Sequence, residues 1–266
     1  MSVQPGRASI NGLDMYYEVH GTGEPLVMLH GAILPDLGPS VAALAKDRMV
    51  ITPHLQGRGH TPDIDRPFSY EGMADDVAAL LGHLGLPRAI ILGQSMGAGV
   101  ALRLGIRHPG LVDRLILVST VVASSGWHQK VQQDLVEMGT GAAKFAAEIS
   151  KSDLGRRYPQ VDWESLFRKT SEFQQKPCDL TEEVRSLAID ILLVFADEDA
   201  ISPDHIVQFW DALGGGKGEA GLNGPQRTRS QLAIMPNTNH STVASSPLFV
   251  DVVTGFLRKG ACSRRG

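Results

Sequence analysis

The sequence is poor in the features that mark secreted, membrane-bound or disulfide-stabilised proteins. Only two of its 266 residues are cysteines, Cys178 and Cys262, and two cannot supply a disulfide framework in a chain of this length. We therefore expect both to be free thiols. No apolar run approaches the ~20 residues that cross a bilayer, and the N-terminal residues show no basic stretch followed by an apolar one. These absences predict a cytoplasmic protein without a membrane span.

An excess of positive charge is also missing. Lysine and arginine total 25 against 29 aspartates and glutamates, and the basic residues are scattered apart from Arg264 and Arg265. This balance argues against a nucleic-acid-binding surface. The nine histidines lack metal-ligand spacing such as H-x-x-x-H on a helix, so we predict neither a metal site nor a cofactor. The apolar fraction of 42% is ordinary for a globular protein with a sizeable core.

Strands and helices alternate along most of the chain. Asn11-Gly12 between two strand-like runs predicts a hairpin. Apolar runs typical of buried strands occur at residues 25–29, 49–52, 89–92, 115–118, 189–195 and 231–235. Helical patterns occupy residues 41–46, 70–84, 96–108, 203–213 and 247–258. This order predicts an α/β fold with a mostly parallel, doubly wound sheet and an antiparallel N-terminal hairpin.

Two stretches interrupt the alternation. Residues 120–187 carry helical patterns of mixed charge, broken by glycine and proline, with no clear strand. We interpret them as a helical insertion over the carboxyl edge of the sheet, which leaves residues 1–119 and 188–266 as the core. Residues 214–229 are rich in glycine and polar residues and join a helix to a strand, so we predict a mobile surface loop there.

The strongest functional pattern is Gly93-Gln94-Ser95-Met96-Gly97, which has G-x-S-x-G spacing. A strand-like run precedes it and a helical pattern follows it, so Ser95 is predicted on a sharp strand-to-helix turn. Such a turn needs small residues on both sides. The hydroxyl then projects beside a helix amino terminus, where developing negative charge is stabilised. The alternative is a glycine-rich turn that only packs a helix on the sheet, but the strand and helix context favours a nucleophile.

A serine nucleophile needs a base at the same edge of the sheet. His240 follows the predicted strand at residues 231–235 by a short turn, which places it at that edge. His128 lies inside the insertion and could at most line a pocket. We interpret the following histidines as surface or capping residues: His20, His83, His108 and His205. The sequence therefore predicts His240 as the base.

The carboxylate that orients the base should lie at this edge too. Asp113 precedes its predicted strand, which puts it at the opposite edge, and no acid follows that strand. Asp197, Glu198 and Asp199 follow the next strand. Spacing alone does not separate Asp197 from Asp199.

Acyl transfer also requires N–H donors aimed at the oxyanion. The residue after the nucleophile supplies Met96 N–H, and the turn at His30-Gly31-Ala32 offers Ala32 N–H. His30 itself is interpreted as a structural hydrogen-bonding residue. The predicted pocket residues are apolar side chains near the nucleophile or within the insertion: Ile33, Leu34, Trp127, Met138 and Trp163. For those within the insertion, packing is the favoured interpretation and contact with the substrate the alternative.

These pieces, in this order, resemble the serine-nucleophile, esterase-like branch of the α/β-hydrolase superfamily over residues 8–258. The matching segments are residues 30–31, 57–61, 93–97, 108–115, 196–199 and 239–240. The resemblance implies a triad of Ser95, His240 and Asp199, with Asp199 chosen because the family has a Gly-x-x-Asp pattern after that strand. It also implies that residues 120–187 form a cap. Dehalogenases and epoxide hydrolases of this fold use an aspartate where Ser95 stands, so the resemblance argues against both.

The chain departs from the family pattern at three positions. Ala196 replaces the glycine of Gly-x-x-Asp, and Asn239 replaces the glycine that usually precedes the histidine. Asparagine tolerates left-handed backbone, so the second change is mild. His54 replaces the aspartate that often opens the glycine-containing loop at residues 57–61.

The predicted function is hydrolysis of a carboxylic ester with a small or medium, rather apolar acyl group. Lactones, thioesters, C–C bonds of β-diketone type and peracid formation are compatible with the same residues. A non-catalytic ligand-binding member of the fold is the competing class, since a fold does not fix function. The expected partner is a small ester-like molecule, and a homodimer is left open.

Overall fold

One sheet of eight strands organises the computed structural model, which describes residues 3–217 and 229–259. The strands are β1 (Val3–Ile10), β2 (Leu13–His20), β3 (Glu24–Leu29), β4 (Arg48–Pro53), β5 (Ala89–Gln94), β6 (Val112–Val118), β7 (Asp190–Glu198) and β8 (Gln231–Asn239). Their order across the sheet is β1-β2-β4-β3-β5-β6-β7-β8. β1, β2 and β4 pair antiparallel, and all pairs from β4 to β8 are parallel. The predicted fold class is confirmed.

The N-terminal hairpin turns at Asn11 and Gly12, whose φ angles are 48° and 82°. Both values lie in the left-handed region, which glycine and asparagine adopt more readily than other residues. The first residues of β1 pair with β2 while remaining largely exposed, so no apolar pattern marks the start of this strand.

Apolar side chains on successive strand residues point to opposite faces of the sheet. Leu26 and Met28 of β3 lie on one face, and Val27 and Leu29 lie on the other. Both sets are fully buried, which explains why the central strands are continuous apolar runs and not alternating ones.

Helices cover both faces of the sheet. The described helices are α1 (Ser40–Leu44), α2 (Tyr70–His83), α3 (Met96–Arg107), α4 (Gln129–Thr140), α5 (Ala142–Ile149), α6 (Asp153–Arg157), α7 (Trp163–Gln174), α8 (Thr181–Arg185), α9 (Pro203–Ala212) and α10 (Pro247–Lys259). α1 and α10 contribute to the core on the face of Leu26 and Met28. α2 and α3 contribute to the core on the opposite face. None of the helices in residues 3–217 and 229–259 is long and apolar enough to cross a bilayer.

Residues 120–187, here called the insertion segment, connect β6 to β7 and contain α4 to α8. Its only extended pairings in the described chain are isolated bridges, from Ala123 to Asp179 and from Trp127 to Ile201. α4 contains no buried residue, whereas α7 buries six, including Trp163, Phe167 and Thr170. The segment therefore packs mainly through α7.

Two sequence predictions differ from the structure or fall outside it. β8 continues to Asn239 instead of ending at residue 235, because Asp197 accepts hydrogen bonds from the backbone N–H groups of Asn237 and Thr238. Residues 218–228 of the predicted mobile loop lie outside the described residues, as does Cys262.

Cys178 is a free, partly buried thiol whose sulfur accepts a hydrogen bond from Arg103 Nη2 at 2.9 Å.

Candidate active site

Ser95 stands on a sharp turn between β5 and α3, with φ 53° and ψ −117°. A side chain is strained in this conformation, and such strain is typical of functional sites. The turn is tight enough to require glycine on both sides. A Cβ on Gly97 would come within 2.3 Å of the Leu29 carbonyl oxygen, and one on Gly93 within 2.2 Å of the Gly97 carbonyl oxygen.

The structure brings Ser95, His240 and Asp199 into one hydrogen-bonded line. Ser95 Oγ lies 2.9 Å from His240 Nε2, and His240 Nδ1 lies 2.9 Å from Asp199 Oδ1. The three residues come from the ends of β5, β8 and β7, so the parallel strands deliver them to one edge of the sheet. With Asp199 ionised, His240 Nδ1–H donates to the carboxylate and Nε2 is left to accept the serine proton.

Asp199 is held by four donors. Besides His240, Oδ1 accepts from Ala200 N–H at 2.8 Å, while Oδ2 accepts from Ser119 Oγ–H at 2.6 Å and from Ala196 N–H at 2.9 Å. Burial opposes ionisation, but the hydrogen bonds from His240, Ser119 and Ala196 outweigh it and hold the pKa of Asp199 below its ordinary value.

Asp197, the alternative acid, has a different role in this structure. Its carboxylate accepts from Asn237 N–H at 2.8 Å and Thr238 N–H at 2.9 Å. These backbone hydrogen bonds lower the pKa of Asp197 and tie β8 to the end of β7. Asp197 thus fixes the strand that leads to His240, and the geometry separates the two aspartates where spacing did not.

The candidate oxyanion donors flank Ser95. Gly31 is adjacent to the nucleophile, since a Cβ added to it would lie 4.0 Å from Ser95 Cβ. Among the described residues, neither Ala32 N–H nor Met96 N–H donates to a protein acceptor. Met96 is the first residue of α3, where the helix leaves its N–H groups unpaired. Both donors are therefore available to a ligand at this position.

His30 lies beside these donors but is tied to the backbone. Its Nδ1–H donates to the Gly31 carbonyl oxygen at 2.7 Å, and its Nε2 accepts from Leu55 N–H at 3.0 Å. Burial lowers the pKa of His30 to about 3, so the ring is neutral. With both ring nitrogens occupied, His30 is not free to act as a base for Ser95.

A cavity of about 510 Å³ opens beside Ser95 and His240. Its apolar wall includes Leu37 and two of the residues predicted at the substrate pocket, Ile33 and Leu34. Asp36 is a charged lining residue, and no lysine or arginine lines the cavity in the described part of the chain. The cavity is thus largely apolar and offers no cation to an anionic ligand.

The other three predicted pocket residues do not line this cavity. Trp127 still contacts the site, because its ring lies 5.7 Å from the His240 ring in an edge-to-face arrangement. Met138 packs instead against the core, and Trp163 is buried next to Phe167 at 6.5 Å between ring centroids. In this structure Met138 and Trp163 are placed by packing contacts and not at this cavity.

Two residues that support the site were missed from the sequence. Gln94 Nε2 donates to the His240 carbonyl oxygen at 3.3 Å and so links the serine turn to the histidine loop. Ser119, with φ 50°, is fully buried and donates to Asp199. Gln94 has a signal in its position within G-x-S-x-G, whereas nothing local marks Ser119.

Two further histidines, His205 and His108, are explained by other contacts. His205 was predicted to be a surface or capping residue, but it is buried, and its Nε2 accepts from Val122 N–H at 3.2 Å. Burial lowers the pKa of His205. His108 pairs with Asp75 at 2.7 Å. Within residues 3–217 and 229–259, no group of three or more His, Cys, Asp or Glu side chains is arranged to hold a metal ion.

The sequence model of the alpha/beta hydrolase family matches residues 26–251. The chain belongs to this family of hydrolases.

Over 117 residues the chain is 34% identical to a soluble epoxide hydrolase from a Corynebacterium species, covering 43% of this chain and 41% of that protein. Over 115 residues it is 36% identical to a 2-hydroxymuconate semialdehyde hydrolase from a Pseudomonas species, covering 39% of each. The matched stretches thus span about two fifths of these relatives.

Among solved structures, an enol-lactonase from Burkholderia xenovorans superposes with a TM-score of 0.73 over 95% of this chain and 100% of that one. The sequence identity is 21%, so this likeness shows the fold alone. The family and the fold are shared with enzymes of different substrate classes, and substrate must be argued from the site.

Proposed function

We propose that this protein is a serine hydrolase that cleaves a neutral carboxylic ester through an acyl-enzyme. The observation that carries the proposal is the hydrogen-bonded line from Ser95 Oγ through His240 to Asp199, with 2.9 Å at each step. A serine hydroxyl is nearly inert at neutral pH, and a base held in one tautomer by a carboxylate is the arrangement that activates it.

Each residue has one role in the proposed reaction. His240 Nε2 accepts the Ser95 proton as Oγ attacks the carbonyl carbon. The negative charge that develops on the carbonyl oxygen is met by the N–H groups of Ala32 and Met96. His240 then gives the proton to the leaving alcohol, and it later activates the water that hydrolyses the acyl-enzyme. Asp199 remains ionised throughout and stabilises the imidazolium.

The lining of the cavity supports a neutral and rather apolar acyl group. Ala32, Ile33, Leu34 and Leu37 supply apolar surface, and no lysine or arginine of the described chain lines the cavity to bind an anionic group. The insertion segment is proposed as a cap that reaches the site through Trp127, whose ring contacts His240.

A second candidate is hydrolysis of a C–C bond by the same residues, which the relative named 2-hydroxymuconate semialdehyde hydrolase favours. A muconate semialdehyde carries a carboxylate, however, and no lysine or arginine of the described chain lines the cavity. Epoxide hydrolysis is disfavoured because Ser95 occupies the position of the aspartate nucleophile that epoxide hydrolases of this fold use. The ester is therefore preferred.

The test is hydrolysis of p-nitrophenyl esters from acetate to long acyl chains by the wild type, Ser95→Ala and Ser150→Ala. Ser150 is an exposed serine following α5, so its variant serves as a matched control. We expect Ser95→Ala to lose about 10⁴-fold or more in kcat, with Ser150→Ala at the wild-type level. Residual activity within about tenfold of wild type in Ser95→Ala would contradict the nucleophile assignment.

A serine-reactive phosphonate separates the alternatives if no ester is turned over. Covalent labelling that disappears in Ser95→Ala indicates an active nucleophile with another acyl substrate, such as a lactone, a thioester or a C–C bond. A ligand that binds without labelling indicates the competing class, a binding protein built on the same fold.

A further inference from the structure

Arg58 is a completely buried cation that the proposed reaction does not use. In the described chain it forms no ion pair with a carboxylate. Its Nε–H donates to the Ala32 carbonyl oxygen at 2.7 Å, its Nη1–H to the Gln56 carbonyl oxygen at 2.7 Å, and its Nη2–H to Thr170 Oγ1 at 2.9 Å. The guanidinium carbon lies 4.4 Å from the centre of the Phe68 ring. Burying a charge is costly unless its donors are paired, so these contacts must all be kept together.

One of these contacts falls on the segment that carries the candidate oxyanion donor. Two carbonyl groups around Ala32 are fixed by side chains. His30 donates to the oxygen of Gly31, the residue before Ala32, and Arg58 donates to the oxygen of Ala32 itself. In a planar trans peptide the C=O and the next N–H point in opposite directions. Holding the Gly31 carbonyl therefore aims Ala32 N–H, and holding the Ala32 carbonyl prevents that residue from rotating.

Another contact of Arg58 falls on the insertion segment. Thr170 lies on α7, is fully buried and is 112 residues from Arg58 in the chain. The neighbouring Lys169 docks α7 onto the same loop, donating to Asp63 Oδ2 at 2.6 Å and to the carbonyl oxygens of Ile64 and Arg66. The position of α7 and the position of the Ala32 carbonyl are thus joined through one rigid, planar guanidinium.

We propose that Arg58 is a positioning residue that couples the docking of α7, through Thr170, to the orientation of the Ala32 N–H beside Ser95. Displacing α7 removes the Thr170 contact and releases the Ala32 carbonyl from Arg58, so that Ala32 can rotate and only His30 still holds the donor peptide. The insertion segment thereby influences the donor without touching the substrate. The inference rests on the proposed function in that it treats Ala32 as an oxyanion donor.

The first experiment does not depend on activity. Labelling with ¹³C-carbonyl glycine and ¹⁵N-alanine selects the amides of the four Gly-Ala pairs in the sequence, at Ala32, Ala98, Ala142 and Ala261. Thr170→Val removes the acceptor of Arg58 Nη2 while keeping the side-chain volume. We expect the Ala32 amide resonance to shift, and expect it to return towards the wild-type position in Thr170→Ser, which keeps the hydroxyl.

Thr140→Val is the matched control, because the Thr140 hydroxyl is exposed and donates only within α4. This variant should leave the Ala32 resonance unchanged. An Ala32 resonance that is unmoved in folded Thr170→Val overturns the coupling, whatever the activity. Arg58→Lys gives a second test if Thr170→Val does not fold, since a single ammonium cannot replace three guanidinium contacts, and an unmoved Ala32 resonance in it also overturns the coupling.

The second experiment measures ester hydrolysis in the same variants. A lost oxyanion donor costs about 10²–10³-fold in kcat, so a misdirected one should cost about five- to twentyfold, with KM within about twofold. Thr170→Ser should recover most of this loss. A rise in KM alone, with kcat unchanged, would show a purely structural role and overturn the proposal.

If the wild type neither hydrolyses esters nor reacts with the phosphonate, the proposed function fails, and the Ala32 resonance still decides whether Arg58 couples the two segments.

Discussion

The carboxyl edge of the sheet and helix α4 of the insertion segment are held in opposite ways. At the sheet edge, backbone groups fix each residue: Ser95 N–H donates to Val118 and Ser119 N–H to Val194, so each strand end is tied to the next. In the insertion segment, α4 buries no residue, and its salt bridge, Lys130 to Asp134, is local and exposed. Such exposed pairs contribute little to stability.

This difference separates two tasks within one chain. Groups that transfer protons must be held to within a fraction of an ångström, and a hydrogen-bonded sheet provides that. A segment that meets only the edge of a substrate can vary without disturbing the reacting atoms. We therefore expect substitutions at the sheet edge to change the rate for every substrate. Substitutions in the insertion segment outside the α7 contact with Arg58 should instead change the preference among substrates.

The largest expected effect lies at the acid. Asp199→Asn should reduce kcat by about 10⁴-fold, because the amide no longer holds His240 in the required tautomer. Asp197→Asn keeps an acceptor for the β8 backbone and should reduce kcat by no more than a few fold. The measurement is kcat for the best p-nitrophenyl ester in both variants. A greater loss in Asp197→Asn would move the triad acid to Asp197.

The next largest expected effect is on stability, and it comes from two buried histidines. Burial lowers the pKa of His30 to about 3, and burial together with His60 lowers that of His54 to about 4. Below the ordinary histidine pKa the unfolded chain binds protons that the folded chain does not, so stability falls as the pH falls. Each of the two histidines should lower the free energy of unfolding by about 2 kcal/mol between about pH 7 and pH 5.

Urea unfolding at several pH values measures this slope. His54→Gln should remove about half of the loss assigned to the two histidines, because glutamine does not titrate and its oxygen can accept from His60 N–H as His54 Nδ1 does. An unchanged slope in His54→Gln would contradict the assignment and place the pH dependence elsewhere.

The smallest effect tests the insertion segment. Trp127→Phe should change the ratio of kcat/KM between short and long acyl chains by up to about tenfold, because that ring lies against His240. Trp163→Phe is the matched variant, since Trp163 is buried away from the cavity, and it should leave the ratio unchanged. A shift in Trp163→Phe equal to that in Trp127→Phe would erase the distinction between the two tryptophans.

Much of the fold could be predicted because its signals are local. Continuous apolar runs located the central strands, and glycines around Ser95 marked the turn that the backbone angles now show. The strand ends were less predictable: β8 is extended by hydrogen bonds to Asp197, 40 residues away, which no pattern within β8 encodes.

The candidate site could also be predicted only where its signals are local or follow from the strand order. Order along parallel strands placed Ser95, His240 and an acid at one edge, but only three-dimensional geometry separates Asp199 from Asp197. The contacts of Ser119 with Asp199 and of Arg58 with Thr170 join residues 80 and 112 positions apart. Met138 and Trp163 were predicted at the pocket because large apolar side chains suit both a cavity wall and a helix interface, and a sequence does not distinguish the two.

The backbone of Ser95 has a consequence for how this chain evolves. A side chain at φ 53° is strained by about 1–3 kcal/mol, which glycine relieves because it lacks a Cβ. Fold stability alone therefore favours Ser95→Gly, and under the proposed function only selection for the reaction keeps the serine. A lineage released from that selection gains stability when it loses the hydroxyl, so the identity of residue 95 records whether descendants of this protein are still under selection as enzymes.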